Sequence, residues 1–281
     1  MTISTNKADY DEPATDASAE EMLVDIGGRR LFIRCMGEGS PTVILEHGMG
    51  TESGSWARVQ QAVAGFTRVC AFDRAGRGTS DPATKPRTSD DMVADLHALL
   101  TNAQVPGPYI LAGNSLGGFN ARIFAHKYPD EVVGLVLVDS MHQDQFTRVE
   151  QALPPERPED PEEFKAFRKS FTQDYKDPAL NPEGFDQLTS HEQARAVTSL
   201  GDLPMIVLAA SEFRMRIPDP RFGTYMHNMW HELQRDLARL SSNSKFVAVE
   251  NSGHFIQIDQ PQVVADAIRE LVEQVRGRET R

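Results

Sequence analysis

Short apolar runs alternate with amphipathic stretches along most of the chain. Six of these runs are rich in β-branched side chains and lack polar alternation, which is typical of strands covered on both faces of a parallel sheet. They are Thr42–Glu46, Arg68–Phe72, Tyr109–Ala112, Val132–Val138, Met205–Ala209 and Lys245–Val249. Two earlier β-type runs, Met22–Ile26 and Leu31–Met36, flank Gly27-Gly28 and predict a hairpin.

Helical periodicity fills the spaces between the predicted strands. The predicted helices are Trp56–Ala64, Ser89–Asn102, Leu116–Lys127, Met229–Ser241 and Gln262–Val275. Strands that alternate with helices predict an α/β fold with an open, mostly parallel, doubly wound sheet. In this architecture ligands bind beyond the carboxyl ends of the strands, so functional residues are expected in the loops that follow strands.

Residues 141–200 interrupt this alternation. The segment is rich in proline and acidic residues and contains helix-like pieces around Phe164–Tyr175 and His191–Leu200. It lies between two predicted strands and is too long for a simple connection, so it predicts an inserted helical cap or lid. The expected organisation is a core of residues 22–140 and 201–281, a cap of residues 141–200, and a disordered acidic tail of residues 1–21.

Composition excludes several classes of function. The 281 residues carry a net charge of −12 without a basic stripe, which disfavours nucleic-acid binding. No stretch approaches 18 consecutive apolar residues, so no membrane span is expected. Cys35 and Cys70 lie in strand-like runs and are expected to be free buried thiols, and with no signal peptide they favour a reducing cytoplasm. A monomer or homodimer is expected.

A glycine-rich hexapeptide supplies the candidate nucleophile. Gly113-Asn114-Ser115-Leu116-Gly117-Gly118 follows the strand YILA and precedes the helix LGGFNARIFAHKY. This is the GxSxG nucleophile elbow in the strand–turn–helix context that gives the motif its meaning. Small residues are needed on both sides of the serine because the turn is tight, and the helix N-terminus points free N–H groups at a developing oxyanion.

Together with three further segments in order, this motif resembles the α/β-hydrolase superfamily from about residue 22 to residue 276. The segments are His47-Gly48-Met49-Gly50 after TVILE, the turn DRAGRGTS of residues 73–80 after RVCAF, and Ser252-Gly253-His254 after KFVAVEN. The resemblance implies that the N–H groups of Met49 and Leu116 form an oxyanion hole. It also implies that His47 and the turn of residues 73–80 are structural, and that Ser115, where haloalkane dehalogenases and epoxide hydrolases carry Asp, is the nucleophile.

The general base and its acid partner follow from the same order of elements. Of eight histidines, His254 alone follows a late sheet strand, and most others are expected on helix surfaces or in the cap. For the acid, the resemblance most often places an Asp after the strand that follows the cap, but Glu212 and Phe213 occupy that region here. The less frequent placement, at the end of GLVLVDS, gives Asp139, which we prefer over Glu212 and then Asp219.

His227 and His231 stand four residues apart, a spacing that can bind zinc from one helix face. Position 228 is Asn and no third ligand is evident, so we predict no metal and no cofactor. Met215, Met226, Met229 and Trp230 could line an adaptable pocket, although core packing is the more common use of such residues.

These residues together predict a serine hydrolase that cleaves a carboxylic ester or lactone of a small-to-medium, largely apolar molecule. Three alternatives stay open. Asn114 before the nucleophile occurs in some relatives that hydrolyse carbon–carbon bonds of dioxo compounds, and a cofactor-free haloperoxidase side activity is compatible with the scaffold. A ligand sensor that retains the fold belongs to a different class of function.

Overall fold

A single eight-stranded sheet organises the protein in a computed structural model that describes residues 19–84, 86–181, 183–212 and 217–279. The strands run in the spatial order β1-β2-β4-β3-β5-β6-β7-β8. They are β1 (Glu20–Asp25), β2 (Arg30–Met36), β3 (Thr42–Glu46), β4 (Val69–Phe72), β5 (Tyr109–Asn114), β6 (Val132–Val138), β7 (Met205–Ala210) and β8 (Ser244–Val249). The β1–β2 and β2–β4 pairs are antiparallel and all later pairs are parallel. The predicted mostly parallel sheet and its opening hairpin are therefore confirmed.

Helices connect the strands in the described residues. They are α1 (Ala57–Ala64), α2 (Ser89–Asn102), α3 (Leu116–Lys127), α4 (Gln145–Ala152), α5 (Glu162–Thr172), α6 (Gln187–Arg195), α7 (Pro220–Ala238), α8 (Ile256–Asp259) and α9 (Pro261–Glu279). One apolar layer packs α2 and α3 on the first face of the sheet, and a second packs α1 and α9 on the other. The strands are apolar on both faces because both faces are covered.

Two helices start earlier than their periodicity predicts. Helix α7 begins at Pro220, nine residues before the predicted start at Met229, because the Asp219 carboxylate accepts hydrogen bonds from the backbone N–H groups of Arg221 and Phe222. Helix α6 begins at Gln187, where Asp186 caps it in the same way, whereas the prediction was His191–Leu200. In both places the N-cap decides the first turn, and the apolar pattern strengthens only later.

The segment 141–200 contains α4, α5 and α6 between β6 and β7. A third apolar cluster joins Val149 of α4 and Phe164 and Phe167 of α5 to one face of α7. That face carries Phe222, Met226, Met229 and Leu233. Helix α7 therefore packs against the helical insertion as well as the sheet, although it lies outside the boundary drawn from the sequence.

The N-terminal boundary needs a correction. Glu20 and Glu21, which were assigned to the acidic tail, belong to strand β1, where they pair with Cys35 and Arg34 of β2. The backbone ladder recruits them despite their polarity, because β1 is an edge strand whose side chains are largely exposed. The rest of the predicted tail, residues 1–18, lies outside the described residues.

The two cysteines form a disulfide, so the prediction of free thiols is wrong in this structure. Cys35 of β2 and Cys70 of β4 are register partners across an antiparallel pair, and their sulfur atoms are bonded. The sequence shows two strands separated by 35 residues but not that they are neighbours in the sheet. The bond removes the cysteine argument for a reducing cytoplasm, and that location stays a proposal.

None of the helices in the described part of the chain is both long enough and apolar enough to cross a membrane.

Candidate active site

Ser115 occupies the sharp turn between β5 and α3 with φ +53° and ψ −115°. Its N–H donates to the Val138 carbonyl at 3.2 Å, and its carbonyl accepts from Met141 N at 3.0 Å. A Cβ at Gly113 would lie 2.3 Å from the Gly117 carbonyl carbon, and one at Gly117 would lie 2.2 Å from the Glu46 carbonyl oxygen. The glycines of the motif are thus required by close backbone approach, as the sequence predicted.

His254 lies in the loop after β8 and is paired with Asp139 at the end of β6. The distance from His254 Nδ1 to Asp139 Oδ2 is 2.7 Å. The Asp139 side chain is 3% exposed and that of His254 is 27% exposed, so the carboxylate is buried behind an accessible imidazole. A carboxylate on Nδ1 holds the imidazole in the tautomer whose Nε2 can accept a proton.

Asn114 links the loops on either side of Ser115. Its Nδ2 donates to the Val138 carbonyl at 3.0 Å and to the His254 carbonyl at 2.9 Å. One side chain adjacent to Ser115 therefore joins the end of β6 to the loop that carries His254. No local sequence pattern predicts this role for Asn114, because its partners are backbone atoms that are 24 and 140 residues away.

The three acids weighed from the sequence have different positions. Asp139 contacts His254, and the Asp219 carboxylate caps α7. The N–H of Glu212, after β7, donates to the Ser252 carbonyl at 3.0 Å. Asp139 has φ +43°, a conformation that asparagine and aspartate tolerate better than most side chains, and its N–H donates to Leu208 O at 2.7 Å.

The loop of residues 47–50 follows β3 and lies beside Ser115. The Met49 side chain is half-buried, and Leu116 is the first residue of α3, where backbone N–H groups have no partner within the helix. The His47 ring is buried, with Nδ1 2.8 Å from Gly48 O and Nε2 accepting from Arg74 N at 3.2 Å. Burial and the nearby Arg74 charge lower the pKa of His47 to about 4, so it is neutral and structural.

A buried charge cluster supports this loop and was not found from the sequence. The Arg74 guanidinium donates to both Glu183 oxygens at 2.7 and 2.8 Å, and to His47 O at 2.5 Å and Gly48 O at 2.9 Å. Glu183 comes from the helical insertion and also accepts from Gly50 N at 2.8 Å. The bidentate ion pair between Arg74 and Glu183 therefore connects the insertion to the 47–50 loop, because both of its members also form hydrogen bonds with the backbone of that loop.

The two carboxylates around Arg74 have opposite pKa shifts. Burial raises the pKa of Glu183, but the charge and hydrogen bonds of Arg74 outweigh burial and lower it to about 2. Burial raises the pKa of Glu46 to about 7, against its contacts with Arg74 and Asn120. Glu183 is thus the carboxylate that neutralises Arg74, because it makes the shorter, bidentate contact.

Two further histidines, both in the segment predicted to be a cap, are buried where the insertion meets α3 and α7. His142 and His191 are 1% and 4% exposed. His142 Nε2 lies 3.3 Å from Asp236 Oδ2, and the His191 ring packs 5.6 Å from that of Phe146. Burial, as the largest cause, lowers the pKa of each to about 4.

The His227 and His231 rings of α7 pack 4.7 Å apart. Among the described residues, no three or more His, Cys, Asp or Glu side chains are grouped to hold a metal ion. Met226 and Met229 are buried in the third apolar cluster, whereas Met215 lies outside the described residues. Trp230 has a different role, because its indole Nε1–H donates to Asp139 Oδ1 at 2.7 Å.

This strand–elbow–helix fold, with an imidazole–carboxylate pair at the strand ends, is that of an α/β hydrolase. The model of the alpha/beta hydrolase family matches residues 43–267, and the chain belongs to that family.

Similarity over most of the chain is found with a Bacillus protein and with a solved esterase structure, among others. The Bacillus subtilis protein YqjL is 28% identical over 84% of this chain and 85% of its own length. The structure of a thermophilic esterase from Thermogutta terrifontis, with malate bound, superposes with a TM-score of 0.62 at 24% identity, covering 92% of this chain and 99% of that one. At that identity the superposition shows the fold.

Two relatives that match over a shorter stretch have names that state a reaction. A pimeloyl-[acyl-carrier protein] methyl ester esterase from Chromobacterium violaceum is 43% identical over 38% of this chain and 40% of the relative. A 2-hydroxy-6-oxononadienedioate/2-hydroxy-6-oxononatrienedioate hydrolase from Klebsiella pneumoniae is 32% identical over 45% of this chain and 46% of the relative. Some other relatives are much longer, and the chain spans 44% of one and 19% of two others.

Proposed function

We propose that this hydrolase cleaves a carboxylic ester or lactone of a small-to-medium, largely apolar molecule through an acyl-enzyme. The observation that carries the proposal is the 2.7 Å contact between His254 Nδ1 and Asp139 Oδ2 at the same strand ends as Ser115. An imidazole held in this way is a general base, and a serine at a nucleophile elbow is the group that needs one. The ester esterase from Chromobacterium violaceum supports the same chemistry.

The first half of the reaction forms the acyl-enzyme. Ser115 Oγ attacks the carbonyl carbon while His254 Nε2 takes the hydroxyl proton, and Asp139 stabilises the resulting imidazolium. The negative charge that develops on the carbonyl oxygen is held by the N–H groups of Met49 and Leu116. The tetrahedral intermediate then collapses, the C–O bond to the alcohol breaks, and His254 returns its proton to the departing alkoxide.

The second half regenerates the enzyme with water as the nucleophile. His254 Nε2 takes a proton from water, the hydroxide attacks the acyl carbon, and the same two N–H groups hold the oxyanion. The bond to Ser115 Oγ then breaks as His254 returns the proton to the serine, so one water is consumed for each ester. The chain's own residues supply every group in this scheme, without a metal or cofactor.

Hydrolysis of a carbon–carbon bond in a dioxo compound is the second candidate, and the relative from Klebsiella pneumoniae favours it. The argument from Asn114 loses weight, however. Both N–H bonds of its amide are directed at the backbone carbonyls of Val138 and His254, so the asparagine holds loops together whatever bond is cleaved.

A labelling and substrate experiment tests the proposal. A fluorophosphonate should add one equivalent to Ser115 Oγ with loss of fluoride, located by mass spectrometry of the peptide that contains residues 109–127. A panel of p-nitrophenyl esters, lactones, amides and a 2-hydroxy-6-oxo-dienoate should give multiple turnovers on an ester or lactone. Faster cleavage of the dienoate would favour the second candidate, and stoichiometric product release without turnover would favour a ligand sensor.

A further inference from the structure

The Asp139 carboxylate has one oxygen on His254 and the other held by two donors. Asp139 Oδ1 accepts from the backbone N–H of Ala210 at 2.9 Å and from Trp230 Nε1 at 2.7 Å. The Trp230 ring also lies edge-on to the His254 ring, with centroids 6.0 Å apart. A buried carboxylate with three hydrogen-bond partners has one preferred orientation, and Trp230 is the only one of the three donors that comes from α7.

Helix α7 contacts the Asp139 turn at two points. Trp230 donates to the Asp139 side chain, and Gln234, one turn later, donates from Nε2 to the Ser140 carbonyl at 2.7 Å. Residues four apart lie on one helix face, so a single face of α7 holds both the carboxylate and the backbone that follows it. The neighbouring positions Met229 and Leu233 pack on α4 and α5 of the insertion, and Met226, one turn before Trp230, belongs to the same apolar cluster.

The other tryptophan of the chain has no comparable contact. Trp56 is completely buried in the apolar layer of α1 and α9, and its Nε1 has no hydrogen-bond partner in the described part of the chain. The indole of Trp230 is only half-buried, yet its N–H is directed at a carboxylate. Trp56 therefore serves as an internal comparison for Trp230, because the Trp230 N–H has a hydrogen-bond acceptor and the Trp56 N–H has none among the described residues.

We propose that Trp230 is a positioning residue for the catalytic base, acting through Asp139, and that it makes the orientation of the Asp139–His254 pair depend on how α7 packs against the helical insertion. The inference rests on the proposed function, because it assigns Trp230 to the same site. Without the indole N–H, Asp139 Oδ1 loses a donor that stabilises its negative charge, and only Ala210 N and His254 remain to orient the carboxylate.

The lost donor has a predictable effect on proton transfer. A carboxylate with one hydrogen-bond donor fewer attracts the imidazolium more strongly, which stabilises protonated His254. The imidazole is therefore protonated, and inactive as a base, up to a higher pH. The other titratable groups near Asp139 on α7 are His231, whose pKa is lowered by burial first, and beyond it His227 and Arg235. Next to the His254 loop, Asp259 of α8 accepts from Gly253 N at 2.8 Å.

Kinetics of Trp230→Phe provide the first test, because phenylalanine keeps an aromatic ring at this position but has no N–H donor. We expect kcat to fall about 10-fold with KM changed less than about 2-fold, since one hydrogen bond to a charged group is lost. The midpoint of the acidic limb of kcat/KM should rise by about half a pH unit. The same shift should be seen when Trp230→Phe is introduced into His231→Gln. Trp56→Phe is the matched control and should keep the wild-type kcat and pH profile.

NMR of protein labelled with ¹⁵N-tryptophan provides a second test that needs no activity. The two tryptophans give two indole N–H resonances, assigned with Trp230→Phe and Trp56→Phe. The Trp230 resonance should lie downfield, as expected for an N–H bonded to a carboxylate. It should move in Asp139→Asn while that of Trp56 stays, and neither should move in Ser115→Ala.

The outcomes separate the inference from the proposed function. If the enzyme turns over esters but Trp230→Phe leaves kcat and the acidic limb unchanged, the inference is wrong and the function stands. A fall in kcat without a change in the acidic limb, with an indole resonance indifferent to Asp139→Asn, would show a packing role and also overturn it. If no substrate turns over but that resonance responds to Asp139→Asn alone, the contact stands and the hydrolytic assignment fails.

Discussion

The loops at the carboxyl ends of the strands and the helical insertion of residues 141–200 are held by different kinds of contact. Backbone hydrogen bonds connect the turns at Ser115 and Asp139 to neighbouring strands. Ser115 N donates to Val138 O, and Asp139 N donates to Leu208 O. The insertion has backbone contacts too, such as the bridge between Arg87 and Phe185, but it is also attached by side chains, through the apolar cluster on α7 and through Glu183 on Arg74. It also exposes large apolar residues, Leu180 at 61% and Leu188 at 48%.

This difference indicates which of the two regions can accept changes in sequence. Strand-end loops inherit their positions from sheet register, so any inserted residue would displace a catalytic atom. The insertion touches the strand-end loops at only a few specific points, including Glu183 on the 47–50 loop. Its remaining surface is less constrained, so we expect it to tolerate substitutions more readily than the strand-end loops.

The largest effect is expected from a change confined to the strand-end loops. Ser115→Ala should reduce turnover by about 10⁶-fold, because the nucleophile is lost while the oxyanion loop remains. Urea denaturation monitored by circular dichroism should show little change in stability, since the Ser115 hydroxyl makes no contact that the fold needs. Residual turnover near the wild-type rate would remove Ser115 from the mechanism.

Asp139→Asn should slow turnover by up to about 10⁴-fold, because an amide can donate to His254 Nδ1 and so select the wrong tautomer. Asparagine tolerates the positive φ of residue 139, so the fold should be kept. Glu212→Gln is the comparison variant and should retain most activity. Steady-state kinetics measures both, and near-full activity of Asp139→Asn would contradict the assignment.

Glu183→Gln tests the contact between the two regions. It leaves Glu46, at 3.3 Å, as the remaining carboxylate on the buried Arg74 charge, so we expect a loss of about 3 kcal/mol in the free energy of unfolding measured by urea denaturation. The matched control is Glu270→Gln at the exposed Lys245–Glu270 pair, which should cost less than about 1 kcal/mol. Equal losses in the two variants would show that the buried pair has no special role.

Reduction of the disulfide tests the side of the sheet formed by β2 and β4. The disulfide closes a loop of 35 residues, and reduction should lower the free energy of unfolding by about 2–4 kcal/mol through the entropy of the unfolded chain. Urea denaturation with and without a reductant measures this, and Cys35→Ser with Cys70→Ser is the permanent form. Since both sulfurs lie away from Ser115 in the sheet, we expect the reduced protein to keep its kcat.

The smallest effect is a change in the pH dependence of stability. His47, His142 and His191 have pKa values lowered from 6.5 to about 4, so the unfolded chain binds more protons between these pH values and stability falls as pH drops through that window. Glu46, raised to about 7, acts with the opposite sign. Removing one proton-binding site with His191→Gln should reduce the slope by up to about 1.4 kcal/mol per pH unit.

That prediction is checked by urea denaturation at pH 7, 6 and 5. His126→Gln, at an exposed position at the end of α3, is the control and should leave the slope unchanged. An unchanged slope in His191→Gln would mean that this histidine takes up a proton in the folded protein without cost.

Local sequence signals predicted the elements that depend on neighbours in the chain. Short apolar runs identified all eight strands, and the glycines of the elbow identified Ser115 as a residue in a constrained turn. Helix starts were predicted less well, because Asp219 and Asp186 cap α7 and α6 upstream of their apolar pattern. A polar residue followed by Pro220 or by the helix former Gln187 was the available signal.

What the sequence by itself determined is therefore the set of strands, the elbow at Ser115 and a histidine in the last strand-end loop, since each is encoded within a few residues of itself. Tertiary structure decided the rest. It brought Asp139 to His254 across 115 residues, directed Trp230 at the same carboxylate, paired Glu183 with Arg74 and joined Cys35 to Cys70. Such contacts follow from which strands are neighbours and how helices dock on them, and no local periodicity contains that information.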